Sequence, residues 1–329
     1  MSSVEIIEVA AIDEGIRLDR WFKSRFPDIT FGQLQKLMRT GQVRVDGGRV
    51  KPGTRLLSGQ KVRIPPLRES VNERYAPPAR GPIDPVRARE IESCVLHCDD
   101  DVIVINKPSG LAVQGGTGTT HHVDGMLDVL QFGANERPKL VHRLDKDTSG
   151  VLVLARNSRS ARHLATCFRS KDVRKLYWAL AVGVPIPPDG QIELRLLKAV
   201  GRGGERMVVD PENGKFSRSR YKVLDQGGRR ASLVALEPLT GRTHQLRVHL
   251  ADALGTPIAG DGKYGGRDAY LEGGGVEKKL HLHARRIQLP LADGRTVDVS
   301  APLPKHMLSS LEYLGFRLEA EYDQFLELE

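Results

Sequence analysis

Cysteine is scarce in this chain: there are three in 329 residues, Cys94, Cys98 and Cys167. An odd, sparse set argues against a disulfide framework and fits a reducing compartment. Cys94 and Cys98 flank His97, but a structural zinc site needs four ligands, usually as two close pairs, and there is no second cysteine pair. A half-buried strand or turn is expected there instead. Long apolar runs are also missing; none reaches the ~18–20 residues that cross a bilayer. The first residues, Met-Ser-Ser-Val-Glu-Ile-Ile-Glu, lack a basic stretch followed by an apolar core, so no membrane association and a cytoplasmic location are expected.

Several common catalytic signatures fail on spacing. Gly201-Arg202-Gly203-Gly204 does not sit between a strand and a helix, as a dinucleotide loop would. In Gly260-Asp261-Gly262-Lys263-Tyr264 the lysine is not followed by a hydroxyl and the Gly-x₄ spacing is absent, which excludes a phosphate loop. Ser149 stands in Thr-Ser-Gly rather than Gly-x-Ser-x-Gly, which argues against a hydrolase elbow. His281 and His283 could present two imidazoles on one strand face, but no third metal ligand is evident. No metal and no cofactor are therefore expected.

What the chain does have is positive charge. Its formal net charge is +9, and charged residues make up 28% against 40% hydrophobic, a balance that excludes gross disorder. Residues 14–65 hold twelve Lys/Arg against four acids, so most of the excess lies in one short segment. A local basic excess of that kind points to a polyanionic partner. The length exceeds what one core usually covers, and two domains are expected.

The basic segment has a recognisable pattern. Ile16, Trp21, Phe22 and Phe26 recur at roughly helical spacing with Arg17, Arg20 and Lys23 between them. Pro27-Asp28 breaks the run, and Thr30 with Gln33 form a capping box for a second helix through Leu34, Leu37 and Met38, with Lys36 and Arg39 on its other face. Val43-Arg44-Val45 reads as a short strand before the turn Asp46-Gly47-Gly48, and Val62-Arg63-Ile64 as a closing strand. Two basic helices followed by a small hairpin resemble an S4 RNA-binding domain, a small α/β module, over residues 1–65. The resemblance implies Arg17, Arg20, Lys36, Arg39 and Arg44 as RNA contacts, chiefly to phosphates. Residues 66–93, interrupted by Pro77, Pro78, Gly81, Pro82 and Pro85, read as a linker, and 94–329 as the second domain.

Within that second domain the segment His142-Arg143-Leu144-Asp145-Lys146-Asp147-Thr148-Ser149-Gly150 stands out. Charge is concentrated against the apolar run Val151–Ala155, which reads as a buried strand. Buried charge needs partners, so such a loop more often serves chemistry than packing. Asp101–Ile105 and Leu176–Val182 read as further strands, Asn157 or Ser158 as the cap of a helix through Phe168, and Gly115–His122 as a surface loop. The whole reads as an α+β domain on a mostly antiparallel, mixed sheet.

Asn106-Lys107-Pro108-Ser109-Gly110-Leu111, the segment His142–Gly150, Gly241-Arg242-Thr243-His244-Gln245-Leu246-Arg247-Val248-His249, Pro257–Gly265 and Leu282-His283-Ala284 follow one another in that order. Together they resemble the RluA/RluC/RluD family of pseudouridine synthases, from about residue 95 to 305. The preceding S4-like module resembles the RluC and RluD branches, acting on large-subunit (23S) ribosomal RNA or a ribosome assembly intermediate, and the run Asp-Thr-Ser-Gly before Val-Leu-Val-Leu-Ala leans toward RluC. The resemblance implies a cofactor-independent isomerase, with Asp145 as nucleophile or base ahead of its rival Asp147, Arg247 as its cationic partner, and Tyr177 stacked on the target base and a candidate to take the C5 proton. It also implies substrate contacts from Arg143, His142, Leu282, Arg242 and Lys107. Two other readings are an RluD-like synthase with other uridines as targets and a non-catalytic S4-type assembly factor. A monomer is the default.

Overall fold

Residues 4–26, 29, 31–67, 83–115, 121–201 and 204–326 are described by the structure, a computed structural model. Thr30 of the expected capping box, the middle of the 115–122 loop and most of the expected linker lie outside them. The chain divides into two units, Met1–Ala79 and Arg80–Glu329.

In the first unit, β1 (Glu5–Glu8) precedes α1 (Leu18–Arg25) and α2 (Phe31–Arg39), which are followed by β2 (Arg44–Val45), β3 (Gly48–Arg49) and β4 (Lys61–Ile64). The four strands form one sheet in the order β1-β4-β2-β3. Leu18, Trp21 and Phe22 fall at i, i+3 and i+4 on α1, and all three are buried. They meet Leu34 and Met38 of α2 and Val45, Val62 and Ile64 of the sheet in one core. Each large side chain withdrawn from water contributes about 1.5–3 kcal/mol. β1 is not evident from the sequence, because its residues are mostly exposed and do not alternate.

The second unit opens with α3 (Pro85–Ser93), which corrects the expected linker. Asp84 accepts a hydrogen bond from the Val86 N–H, Pro85 occupies the first turn, and Ile91 is buried in the core. A proline at that position is a helix start, not a break. The chain continues through β5 (Val95–Cys98), β6 (Val102–Lys107), α4 (Val123–Met126), β7 (Lys139–Leu140), β8 (Ser149–Ala155), α5 (Ser158–Ser170) and β9 (Arg174–Val182). It then forms β10 (Asp189–Gly201), β11 (Gly204–Val209), β12 (Lys215–Gly227), β13 (Ala231–Pro238), α6 (Gln245–Val248), β14 (Leu282–Pro290), β15 (Thr296–Ser300) and α7 (Lys305–Tyr313). Asn157 caps α5, its side chain accepting from the Ser160 N–H.

The strands form one sheet in the order β11-β10-β12-β13-β9-β14-β8-β6-β5, with β15 beside β14 and β7 beside β8. Every pairing is antiparallel except β14 with β8, which is parallel and two residue pairs long: His283 with Ser149 and Ala284 with Gly150. Strand β8 is buried along its whole length, which is why its sequence is continuously apolar rather than alternating. Gly150 makes the parallel seam feasible. Its φ is +107°, and a Cβ there would lie 2.2 Å from the Ala284 carbonyl oxygen. The charged nine-residue segment enters the sheet at this seam.

Candidate active site

The path of His142–Thr148 is fixed by backbone tethers from the Asn106–Leu111 turn. Lys107, fully buried at the end of β6, donates from its ammonium to the carbonyls of Pro108 (2.9 Å), Leu111 (2.8 Å) and Lys146 (3.0 Å). Three donors meet three acceptors, so the buried charge is satisfied. Gly110 N–H also donates to the Lys146 carbonyl (2.9 Å), and Ser109 Oγ to that of Asp147 (2.8 Å). Burial lowers the Lys107 pKa to about 8, against the opposing pull of Asp147 and Asp145.

On the other side, His142 Nε2 accepts the Val153 N–H at 2.8 Å, and its ring stacks on Phe168 at 4.5 Å. The imidazole takes over where β7 ends its pairing with β8 at Leu140 and Leu154. Burial, with the nearby Lys175 charge, pushes His142 down to about 3, so it is neutral. Lys107 and His142, expected as substrate contacts, are thus engaged inside the protein, and their hydrogen bonds hold the loop.

Between these supports Asp145 is half-buried and makes no side-chain hydrogen bond among the described residues. The basic side chain nearest its carboxylate is not the expected one. His244 Nε2 lies 3.9 Å from Asp145 Oδ2, whereas Arg247 forms a two-pronged ion pair with Asp261. Arg247 Nε meets Oδ2 and Nη2 meets Oδ1, both at 2.7 Å. Asp261 is oriented for this by turn hydrogen bonds from the N–H groups of Lys263 (3.2 Å) and Tyr264 (3.3 Å). A planar guanidinium matches a carboxylate held edge-on, which makes the pair with Asp261 bidentate. Arg247 still acts on Asp145 through its field: Asp261 and Asp145 together raise the guanidinium pKa against burial.

Each residue of the Gly241–His249 motif has a separate place. Gln245 is buried and fully bonded. Its Oε1 accepts from Thr240 Oγ1 (2.7 Å) and the Arg242 N–H (3.0 Å), while Nε2 donates to the Arg218 carbonyl and Ser219 Oγ, both at 2.9 Å. That anchor fixes α6, which carries Arg247, with His244 at its N-cap. Leu246 packs into the core. Arg242 is exposed, with Nε donating to the Phe216 carbonyl at 3.0 Å.

Tyr177 comes from β9, paired with Leu236 on one side and Ala284 on the other. Its hydroxyl makes no hydrogen bond among the described residues. Burial and the Asp145 charge raise its pKa, so it remains a phenol. Leu282, at the start of β14, lies in the apolar cluster against which Tyr177 packs. Arg143 is exposed and forms no ion pair among the described residues.

The histidines considered as metal ligands are otherwise occupied. His281 hydrogen-bonds the Lys279 carbonyl (2.7 Å) and Ser310 Oγ (2.8 Å), and His283 bonds Ser149 Oγ (2.8 Å) and the Ala301 carbonyl (3.2 Å). The Ser149–His283 pair is sealed beneath the seam, with Ser149 at 2% exposure and His283 at 0%, so it offers substrate no nucleophile.

In the first unit Arg20, Lys36 and Arg39 are exposed and form no ion pair among the described residues. Arg17 differs: it pairs with Asp19 through Nε (3.1 Å) and Nη2 (2.6 Å). Arg44 donates to the carbonyls of Gly41 and Gly47 at 3.0 and 3.2 Å.

His244, Asp261 and Tyr264 are the site residues that sequence reasoning did not single out. The signal for Asp261 and Tyr264 was the Gly-Asp-Gly-Lys-Tyr run, which fails as a phosphate loop yet serves to hold Arg247; His244 stood in the same motif as Arg247.

Comparison with known proteins agrees with this geometry. The family pattern for RNA pseudouridylate synthase matches residues 101–252, and that for the S4 domain matches residues 16–62. The chain is 38% identical over 307 residues to the ribosomal large subunit pseudouridine synthase C of Yersinia pestis, covering 92% of this chain and 93% of that protein. It is 36% identical to the protein of the same name from Escherichia coli strain K12, covering 95% and 97%. The solved structure of human RNA pseudouridylate synthase domain containing 4 superposes with a TM-score of 0.61 at 32% identity, covering 71% of this chain and 97% of that one. The chain belongs to the RNA pseudouridylate synthases, as a pseudouridine synthase with an S4 domain ahead of its catalytic domain.

Proposed function

We propose that this protein isomerises specific uridines of large-subunit (23S) ribosomal RNA to pseudouridine, with Asp145 as the reactive carboxylate. The reaction breaks the N1–C1′ bond of a uridine, turns the base and joins C5 to C1′; the C5 proton leaves and N1 gains one. It needs a carboxylate at C1′/C2′, as nucleophile or base, and no redox partner or phosphate donor. The observation that carries the reading is the placement of Asp145. A half-exposed carboxylate with no side-chain hydrogen bond among the described residues sits on a doubly tethered loop, near His244 and within the field of Arg247.

The target uridine leaves its stack to reach that carboxylate, at a cost of a few kcal/mol. Arg143, exposed two residues before Asp145, is suited to enter the vacated position, because a planar guanidinium stacks on bases as well as pairing with phosphate. Tyr177 and Leu282 supply apolar surface to the uracil, with the Tyr177 phenol kept neutral. Arg242 reaches phosphate. Arg20, Lys36 and Arg39 of the S4 domain hold the surrounding RNA backbone. The near full-length likeness to the synthase C proteins supports ribosomal RNA as the substrate.

The test is pseudouridine formation on transcribed 23S RNA by the wild type and Asp145→Asn. The wild type is expected to be active and the variant inactive with RNA binding retained. Full activity in Asp145→Asn would remove the assignment, and a wild type that binds without modifying would leave a binding factor. Mapping pseudouridines in a strain lacking the gene identifies the positions.

A further inference from the structure

His244 is built into the site more elaborately than a spectator side chain. Its backbone is left-handed, with φ +52° and ψ +21°, a conformation that a residue with a Cβ adopts rarely and that clusters at functional sites. Its carbonyl accepts the Val248 N–H, and the fully bonded Gln245 follows it, so the chain cannot relax there without breaking α6. The ring meets Tyr264 edge to face, and Nδ1 lies 2.7 Å from the Tyr264 hydroxyl. Tyr264 is itself immobilised. The guanidinium groups of Arg206 and Arg247 each lie 5.1 Å from its ring centroid, and its hydroxyl accepts the Met207 N–H of β11 at 3.1 Å.

These contacts settle where the imidazole proton sits. The Tyr264 hydroxyl carries one hydrogen, and His244 Nδ1 is its one acceptor among the described residues. If Nδ1 were protonated instead, the phenol hydrogen would have no partner, and a bare Nε2 lone pair would face a carboxylate. The arrangement that satisfies both groups has Tyr264 donating to Nδ1 and the proton on Nε2. That nitrogen lies 3.9 Å from Asp145 Oδ2. The gap exceeds a hydrogen bond, but catalytic hydrogen bonds commonly tighten only when the site is filled. Burial, with the Arg247 and Lys263 charges, lowers the His244 pKa against the upward pull of Asp145 and Asp261.

We propose that His244 is a positioning residue for Asp145. Fixed by Tyr264 as the Nε2–H tautomer, it donates one hydrogen bond to Oδ2 and so sets which carboxylate oxygen faces the sugar. The proposal rests on Asp145 being the reactive carboxylate. It also gives the Tyr264 loop a task beyond holding Arg247. Met207 N–H on Tyr264 and Lys263 Nζ on the Glu205 carbonyl (2.6 Å) tie that loop to β11, the edge strand of the sheet. Displacement of β11 would therefore reach Asp145 through two side chains.

The experiment compares single-turnover rates and RNA affinity for His244→Leu, His244→Gln, Tyr264→Phe and the His244→Leu/Tyr264→Phe pair, with Asp145→Asn alongside. His244→Leu and Tyr264→Phe should slow the chemical step on the order of ten- to a hundred-fold, the range of a lost hydrogen bond to a charged group, with RNA affinity unchanged. Glutamine keeps a donor near the Nε2 position, so His244→Gln should recover most of the leucine loss. The double variant should be no slower than the slower single one, as expected of groups acting as a unit. Nitrogen NMR of labelled histidines should show His244 with its proton on Nε2, independently of activity. Wild-type rates in His244→Leu, equal losses in the leucine and glutamine variants, multiplied losses in the double variant, or an Nδ1–H tautomer would each overturn the proposal. An active Asp145→Asn would overturn the underlying assignment instead.

Discussion

Arg247 and Asp261 form the most deeply buried ion pair among the described residues of the catalytic unit, with side chains 8% and 1% exposed and two hydrogen bonds of 2.7 Å. Removing one charge of such a pair leaves the other uncompensated in a medium that cannot solvate it. Asp261→Asn is therefore expected to destabilise the catalytic unit by about 3–5 kcal/mol. It should also slow catalysis, because the guanidinium would be free to turn toward Asp145 and disturb the carboxylate's orientation. Arg247→Met/Asp261→Leu, which removes both charges, should recover much of the stability but not the activity. Urea unfolding and single-turnover rates on the same preparations separate the two effects.

Lys107 gives the second prediction. Its ammonium satisfies three carbonyls from the core side of the Asp145 loop. Lys107→Met fills the space but removes the donor to all three carbonyls; that of Lys146 keeps the Gly110 N–H, while those of Pro108 and Leu111 are stranded, each costing about 1–3 kcal/mol when buried without a partner. The variant should unfold at lower urea and lose activity. Because the Lys146 carbonyl is one of the three, the loss should exceed what instability alone explains. Measuring the rate at a temperature where the variant is still folded, by circular dichroism, isolates the loop effect.

These two residues show what the sequence could and could not convey. Lys107 stood in a conspicuous motif, but a lysine in a charged neighbourhood looks like a substrate contact. Its burial depends on β6 and β8 pairing Lys107 with Gly150, a long-range register invisible in one dimension. Arg247 was placed in the site from its motif, yet its partner comes from a turn fourteen residues on, in a segment that carried the resemblance with no role assigned to Asp261. The strands β6, β8 and β9 were legible because central strands buried on both faces are continuously apolar. The helix α3 was not, because its Pro85 was read as an interruption rather than a first-turn residue.

Buried histidines make the third prediction. His249, His281 and His283 are fully buried, and each is pushed down to about 4, chiefly by desolvation. In the unfolded chain they titrate near 6.5. Between those values the unfolded state binds protons that the folded state does not, so stability is full above about pH 6.5 and falls as pH drops toward 4. Each histidine contributes a slope of about 1.4 kcal/mol per pH unit inside that window. In a Trp21→Phe background, Trp178 fluorescence reports the catalytic unit alone. Its urea midpoint should hold from pH 8 to 7 and drop steeply from 6 to 5, and His249→Gln should lessen the slope.

The fourth prediction separates cations that look alike in the sequence. Arg17, Arg20, Lys36 and Arg39 all lie on the first two helices or beside them, but Arg17 is held by Asp19 while the other three form no ion pair among the described residues. A side chain that already neutralises a carboxylate releases few counterions from RNA, whereas a free one releases them in full. Alanine at Arg20, Lys36 or Arg39 should weaken RNA binding at low salt. Each should also reduce the slope of log affinity against log salt by about 0.7–0.9 for every phosphate the side chain no longer neutralises. Arg17→Ala should change that slope least, since it also frees the Asp19 carboxylate to repel phosphate and so acts by repulsion rather than through counterion release. Filter binding across a salt series on one RNA fragment distinguishes the two behaviours. An Arg17→Ala slope change equal to that of Arg20→Ala would show that the Asp19 pair opens when RNA binds.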